Sequence, residues 1–528
     1  MLNSLQSSDS LYLLSRLLLL QRPMSQPVEV TTHTVLRDLL RHQPEIINWN
    51  HHLTMARLVA RGLRLSTSSL IQTGIATHRL EAKYRLSYLI PALLWQESVT
   101  IAISPDFQDR LIKTELPQLQ QWLGTSKSVY CGAKSPSAAF DGLWITDPQS
   151  WLNLQLHQPE LLARNPIIID GADDLENCVQ GLLTVRLNTQ DWDNLRSHRS
   201  STVWEQIIEI KIQLMAALWQ RPINPYNCYL LDASNRSLLD LLGQLLTPNL
   251  PSHWQTFYRE LSKLDRLVWA QIDRTLGTFT LAITPTDLVT ELSPIWHRQP
   301  SILIASAVDL TAKAVGYRQE LGLSDVTSVK FPLDRQNDTL KLYIPRWMPM
   351  PNTSKFQPIL IDELKHLLNL RNTCPKFVVI LIQDTPLQAQ IAATLAAEWG
   401  SRVQVEQTNL NESNILVSGW SFWQQHQDNL PTPQLMIIAT LPIPSLEDPL
   451  VAAKVSFYKQ RRQDWFRLYL LPTGLRILHR AIAPMRSTQG TVAIFDNRID
   501  RRIYGKQVLA SLNPAIRISY ADLKIYSN

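Results

Sequence analysis

The stretch that decides the fold is Asn165-Pro-Ile-Ile-Ile-Asp-Gly-Ala-Asp173, a short apolar run that ends in an acidic residue. Three consecutive isoleucines after a proline are typical of a buried β-strand, and we predict a strand over residues 166–170. Asp170 would stand at the end of that strand. The next residue, Gly171, has no side chain with which to do chemistry.

Five further apolar runs lie between stretches of helical periodicity. They predict strands at 99–104, 302–306, 377–382, 434–439 and 490–495. Strands that alternate with helices in this way indicate parallel sheets covered on both faces. The predicted fold class is therefore α/β, with two parallel-sheet domains.

Residues 185–295 interrupt this alternation. Apolar residues recur at helical spacing in 205–219, 237–246 and 254–276, which predicts a mainly helical insertion inside the first α/β domain. The predicted division is an N-terminal extension at 1–44, a first domain at 45–184 and 296–332, the insertion at 185–295, and a second domain at 333–528.

Composition limits the class of protein. The chain has 528 residues, 45% hydrophobic and 18% charged, which is enough for two or three domains with substantial cores. A net charge of +6 is compatible with a nucleic-acid partner. Four cysteines without a Cys-x-x-Cys pair argue against zinc and disulfides and favour a reducing cytoplasm.

Membrane insertion is not expected, because no run reaches the roughly 18 apolar residues that a span requires. The run Leu11–Leu20 resembles a signal core, but Arg16 interrupts it and no basic residue precedes it, so we interpret it as a terminal helix. Met24 is a hypothetical alternative start of the chain.

Eight segments then occur in an order that is characteristic of one family. They are Asn50–Arg57, Leu86–Ala92, Ile101–Gln108, Ile168–Asp173, Leu303–Val308, Phe422–Gln425, Leu441–Leu450 and Ile503–Lys506. From about Trp49 to Leu512 the chain resembles the DinG/XPD-type superfamily 2 DNA helicases. The resemblance implies two RecA-like domains around a nucleotide cleft, a helical arch-like insertion in the first, and single-stranded DNA across both.

The resemblance also places the motor residues, and several are lost. No phosphate-loop Lys is followed by Ser or Thr, and the water-polarising Glu of the family is Gly171. The first arginine of the sixth motif falls on Ala483. The residual catalytic positions are Asp170 and Arg486, and the matched nucleotide-binding positions are His52, Gly74, Arg79 and Asp170.

Cofactors are not expected. ATP and magnesium would be required only if the motor is still active, and Asp170 is a weak magnesium candidate. The family's iron–sulfur cluster matches a single cysteine, Cys131, with no further cysteine before Asp170, whereas a cluster needs about four ligands.

Nucleic-acid binding could be retained although the motor residues are lost. Sixteen tryptophans and the basic clusters of the last domain supply stacking faces and phosphate contacts. The predicted contacts from the matched motifs and basic clusters are Ser104, Gln108, Ser306, Trp423, Arg461, Arg462 and Arg480. Single-stranded DNA or another nucleic acid is the expected partner of a monomeric, cytoplasmic protein.

Three functions stay open from the sequence. The leading hypothesis is a single-stranded nucleic-acid-binding pseudo-helicase in DNA repair or replication. The alternatives are a divergent but active ATP-dependent helicase and a protein-interaction scaffold that binds neither ATP nor DNA. Arg79 and Arg486 converging near Asp170 would favour the enzyme, whereas a cleft filled by Tyr84, Arg85 and His479 would favour the scaffold.

Overall fold

The computed structural model describes residues 27–42, 49–75, 83–137, 139–162, 165–198, 200–247, 249–324, 326–370, 377–520 and 522. The chain divides into two compact units. The first comprises Met1–Leu175 and Val289–Pro332, and the second comprises Glu176–Leu288 and Leu333–Asn528. Residues 176–288, which we call the insertion from here on, therefore group with the second α/β domain, although in sequence they interrupt the first.

A seven-stranded sheet organises the first unit. Its order is Thr327–Lys330, Ser69–Gln72, Ser301–Ala305, Ile167–Asp170, Val99–Ala102, Gly142–Thr146 and Ser128–Cys131. Every pairing is parallel. Its inner strands are buried along their whole length, which explains why they are continuous apolar runs rather than alternating ones.

Helices cover this first sheet. They are Val28–His42, His52–Leu65, Leu86–Leu94, Pro105–Arg110, Leu116–Leu123, Pro148–His157, Val289–Arg298 and Val315–Glu320. Leu86–Leu94 is apolar on nearly every side, and seven of its nine residues are buried. A helix of that composition belongs in a core.

The insertion combines helices with a four-stranded antiparallel sheet. The strands run in the order Val185–Leu187, Thr278–Pro285, Arg266–Asp273 and Cys228–Leu230, and the helices are Leu175–Leu183, Thr189–Asp193, Ser201–Trp219, Ala233–Leu246 and Ser252–Leu261. The prediction of helix over 254–276 is wrong beyond Leu261. Residues 266–273 form a β-strand. Their eight cross-strand pairs with residues 278–285 outweigh the helical spacing of the apolar residues.

The second α/β domain contains another seven-stranded parallel sheet. Its order is Val403–Val405, Ile415–Ser418, Val378–Leu381, Leu435–Ile438, Thr491–Ile494, Leu340–Tyr343 and Ala515–Ile518. Its helices are Phe356–Leu370, Thr385–Trp399, Trp420–His426, Pro449–Gln460, Leu471–Ser487, Arg498–Arg501 and Gly505–Leu512. The predicted α/β class with two parallel-sheet domains is confirmed. Among the described helices, none has the length and apolar character that crossing a membrane requires.

Candidate nucleotide and nucleic-acid sites

Asp170 lies at the carboxyl end of its strand, and side chains of the same unit surround its carboxylate. The Tyr84 hydroxyl donates a hydrogen bond to Oδ1 at 2.6 Å, and the Tyr88 hydroxyl donates one to Oδ2 at 2.9 Å. The Arg85 Nε donates to Oδ2 at 3.1 Å. We call these four residues the Asp170 cluster. Asp170 is only 3% exposed, so the donors take the place that solvent would otherwise occupy.

The chain segment that supplies the donors is a short turn leading into a buried helix. Lys83–Arg85 forms the turn, and Leu86–Leu94 follows it. Residues four apart on a helical path share a face, so Tyr84 and Tyr88 both reach the carboxylate. The Arg85 guanidinium also lies over the Phe107 ring, 4.4 Å from its centroid.

The protonation states of the cluster follow from burial and from charge. Burial, reinforced by Asp170, raises the pKa of Tyr84 and of Tyr88 well above the ordinary value, so both hydroxyls keep their protons. Burial alone would lower the pKa of Arg85, but Asp170 raises it overall, so the guanidinium stays charged. Burial also raises the pKa of Asp170, against the opposing effects of Arg85 and of the two tyrosine hydroxyls. The cation and the two hydroxyls together satisfy the buried acid internally.

A magnesium–nucleotide complex does not fit this arrangement. Magnesium needs oxygen ligands at about 2.0–2.1 Å and keeps several waters around it. Both oxygens of Asp170 instead face hydrogen-bond donors, and a guanidinium stands at 3.1 Å. The described residues therefore offer a structural carboxylate at this position rather than a metal ligand.

The residues after Asp170 join two strand ends. Gly171 has φ +98°, a left-handed conformation that a side chain would strain. Asp173 then accepts hydrogen bonds from the Ser306 backbone N–H and hydroxyl. Because Ser306 follows the strand Ser301–Ala305, this contact ties that strand end to the end of Ile167–Asp170. Ser306, predicted to contact DNA, is 2% exposed and is used internally.

A cationic groove lies in the second α/β domain. Its volume is about 810 Å³. Its lining includes Phe466, Arg467, Arg498, Arg501, Arg502 and Tyr504. The Phe466 and Tyr504 ring centroids are 5.0 Å apart. Arg467, Arg501 and Arg502 are exposed, whereas Arg498 is fixed by the buried carboxylate of Asp496. We call this cavity the arginine groove.

Two curated bacterial proteins are similar to part of this chain. The ATP-dependent DNA helicase YoaA of Escherichia coli (strain K12) is 27% identical over 253 residues, covering 45% of this chain and 40% of that protein. The protein of the same name from Haemophilus influenzae is 22% identical over 248 residues, covering 44% and 39%. The chain thus matches about two fifths of the length of these relatives. No protein-family model matches the chain.

Solved XPD structures share its fold. An apo XPD structure has a TM-score of 0.57 at 12% identity, covering 88% of this chain and 100% of that chain. S. tokodaii Xpd4 has a TM-score of 0.56 at 12% identity, with 89% and 100% covered. The predicted resemblance to the DinG/XPD-type superfamily 2 helicases is confirmed. The two parallel sheets with an insertion are the two RecA-like domains of that fold.

Other nucleotide positions of the DinG/XPD-type pattern are also used internally. His52 is 1% exposed, its Nδ1 lies 2.9 Å from the Ser87 hydroxyl, and Trp49 packs edge-on against its ring. The predicted nucleotide contact of His52 would require this buried ring to become accessible. Gly74 is buried with φ +76°, and its N–H donates to the Ser306 carbonyl at 2.9 Å. Arg79 lies outside the described residues.

Arg486 closes the end of a helix instead of reaching toward a phosphate. Its guanidinium donates to the carbonyls of Asp338, Leu512, Asn513 and Pro514 at 3.0–3.3 Å. Leu512 ends the helix Gly505–Leu512, so these bonds satisfy carbonyls that have no helical partner. This side chain is 4% exposed and is used structurally, so its expected residual catalytic role stays a prediction.

Trp423 is a core residue. Its side chain is 0% exposed, and its indole Nε1 donates to the Ala481 carbonyl at 3.1 Å. A base can stack only on an accessible ring face, so the predicted contact of Trp423 with nucleic acid would require this ring to leave the core. The matched segment Phe422–Gln425 lies in the helix Trp420–His426, but a motif match does not indicate the direction in which this ring points.

We expect Trp423→Phe to lower the free energy of unfolding by about 1–3 kcal/mol, since it removes buried volume and a hydrogen bond. Affinity for single-stranded DNA should not change. Denaturant titration and DNA titration of the same preparation measure both. Trp347→Phe at an exposed position is the control. A tenfold affinity loss without destabilisation would contradict the core assignment.

The first domain's predicted DNA contacts lie near the end of a strand. Ser104 precedes the helix Pro105–Arg110 and is half-buried, and the Gln108 amide donates to the Ile103 carbonyl at 3.0 Å. The Cys131 thiol lies 3.5 Å from the Gln108 Oε1. Cys374 lies outside the described residues. Within those residues no group of three or more His, Cys, Asp or Glu could hold a metal ion.

One of the three basic residues expected to bind nucleic acid already has acidic partners. Arg461 stands 3.4 Å from the Asp287 carboxylate and 4.0 Å from that of Asp265. Arg462 is exposed, and Arg480 is half-buried. The sequence predicted basic clusters in the last domain but did not indicate Phe466 and Arg467, which complete the arginine groove.

Proposed function

We propose that this chain is a single-stranded nucleic-acid-binding pseudo-helicase that acts in DNA repair or replication without ATP turnover. The observation that carries the proposal is the Asp170 cluster. The carboxylate that would hold magnesium in a helicase motor accepts three buried hydrogen bonds from its own unit. The phosphate-loop Lys is also missing, and Gly171 stands where the family has a Glu. These features together support a RecA-like fold without ATP hydrolysis.

The arginine groove supports the binding part of the proposal. Phosphates are attracted by exposed guanidinium groups, and bases stack on aromatic faces. Arg467, Arg501 and Arg502 provide the charge, and Phe466 and Tyr504 provide the rings. YoaA is a DNA helicase by name, which makes DNA the first strand to test.

Fluorescence anisotropy of a labelled single-stranded oligonucleotide, with and without Mg-ATP, tests the proposal. Each phosphate contact to a single strand contributes a slope of about −0.7 in log K against log salt. Three exposed arginines therefore predict a slope near −2. We expect this slope to be the same with and without Mg-ATP.

Two outcomes would overturn the proposal. Release of the strand by Mg-ATP would instead support a divergent active helicase. No binding at low salt would favour the protein-interaction scaffold. The burial of His52, Ser306 and Trp423 already supports that alternative.

A further inference from the structure

A buried ion cluster lies where the insertion begins. Glu176 accepts from the Lys454 Nζ at 2.9 Å and from the Arg476 Nη2 at 2.7 Å, and each side chain is less than 20% exposed. The Lys454 ammonium also lies 4.4 Å from the centroid of the Tyr469 ring. Burial alone would raise the pKa of Glu176, but the two cations lower it to about 2, so the carboxylate is ionised at neutral pH.

We call the helix Pro449–Gln460 the anchor helix. It contacts the insertion at its beginning and in its middle, and the residue directly after it makes a third contact. Leu450, in its first turn, packs against the insertion residues Cys228, Trp269 and Ala282. Lys454, in the middle, bonds Glu176. Arg461, directly after the helix, faces Asp265 and Asp287.

The anchor helix also leads into the wall of the arginine groove. Tyr458 stacks on Tyr469 with ring centroids 6.0 Å apart, and the Lys459 ammonium lies 5.3 Å from the Trp465 ring centroid. Phe466 and Arg467, which line the groove, follow Trp465 directly. A shift of the anchor helix would therefore displace two groove residues.

We infer that Glu176 is a positioning residue that fixes the insertion on the anchor helix and thereby holds one wall of the arginine groove in place. A segment that interrupts the first α/β domain in sequence thus supports the binding surface of the second. The effect on strand binding rests on the proposed function, but the attachment of the insertion does not.

Hydrogen exchange of the full chain tests the attachment. Glu176→Gln keeps the side-chain shape but leaves two buried cations without their counter-charge, a costly change in a desolvated site. We expect exchange to rise at least tenfold in residues 449–460 and 228–230 and to stay unchanged in 86–94 of the first unit. Affinity for the labelled oligonucleotide should fall about fivefold. Asp193→Asn, an exposed acid-to-amide change in the insertion, is the control.

A charge exchange separates positioning from general destabilisation. E176K alone places three cations together and should loosen the attachment further. E176K/K454E restores one carboxylate facing two cations. The double variant should therefore recover most of the protection from hydrogen exchange and most of the affinity. Unchanged exchange in E176Q, or a uniform rise across both units, would overturn the inference. If the wild-type chain does not bind DNA, the proposed function fails, and the exchange data still decide the attachment.

Discussion

Asp170→Asn should lower the free energy of unfolding of the first unit by about 3–5 kcal/mol, the cost typical of removing one partner of a buried ion pair. The Arg85 guanidinium would remain desolvated with no counter-charge, and an amide would face the donors Tyr84, Arg85 and Tyr88. Tyr88→Phe removes a single hydrogen bond and should cost less, about 1–2 kcal/mol. A metal-binding aspartate in a motor would show the reverse pattern, with activity lost and stability largely kept.

Hydrogen exchange within the strand Ile167–Asp170, combined with urea titration, measures this effect in the unit concerned. Asp109→Asn is a matched control, because Asp109 pairs with Lys113 at the surface and both side chains are at least 70% exposed. That change should stay within about 1 kcal/mol. A stable D170N protein whose wild type gains thermal stability from Mg-ATP would mean that the cluster opens to admit nucleotide.

R501E/R502E should weaken binding of single-stranded DNA by about tenfold or more. Two exposed guanidinium groups of the arginine groove become carboxylates, so phosphate attraction turns into repulsion. The salt slope should also shrink by about 1.4, from two lost contacts of about 0.7 each. Anisotropy across a salt series yields both values.

Net charge must be separated from location in that experiment. R236E/R259E makes the same change in charge at exposed positions on two insertion helices and should bind nearly as the wild type does. Equal losses in both double variants would show that overall charge, not the groove, attracts the strand. No loss in either variant would remove the arginine groove from the proposal.

Much of the fold was predictable because buried parallel strands have a simple sequence pattern. Ile167–Asp170 and Leu435–Ile438 are covered on both faces, so each is a continuous apolar run. The insertion sheet was missed because Arg266–Asp273 is stabilised by its antiparallel partner Thr278–Pro285, which a local spacing rule does not detect.

The candidate site was only partly predictable. Tyr84 and Arg85 were considered as residues that could fill the cleft, and both bond Asp170. Tyr88 was missed, although its spacing of four from Tyr84 placed both on one helical face. Motif matching placed Trp423 and Arg486 in the chain, but whether a side chain faces solvent or core depends on tertiary packing.

The Asp170 cluster also bears on whether the proposed pseudo-helicase could regain ATP hydrolysis by mutation. Restoring the missing acid by Gly171→Glu would put a side chain at φ +98°, and the neighbouring aspartate would still be held by two phenols and a guanidinium. Removing those three side chains first would leave the Asp170 carboxylate buried without partners. That change would lower stability before any activity appeared. In the pseudo-helicase that we propose, a single reversion would therefore be penalised from both directions.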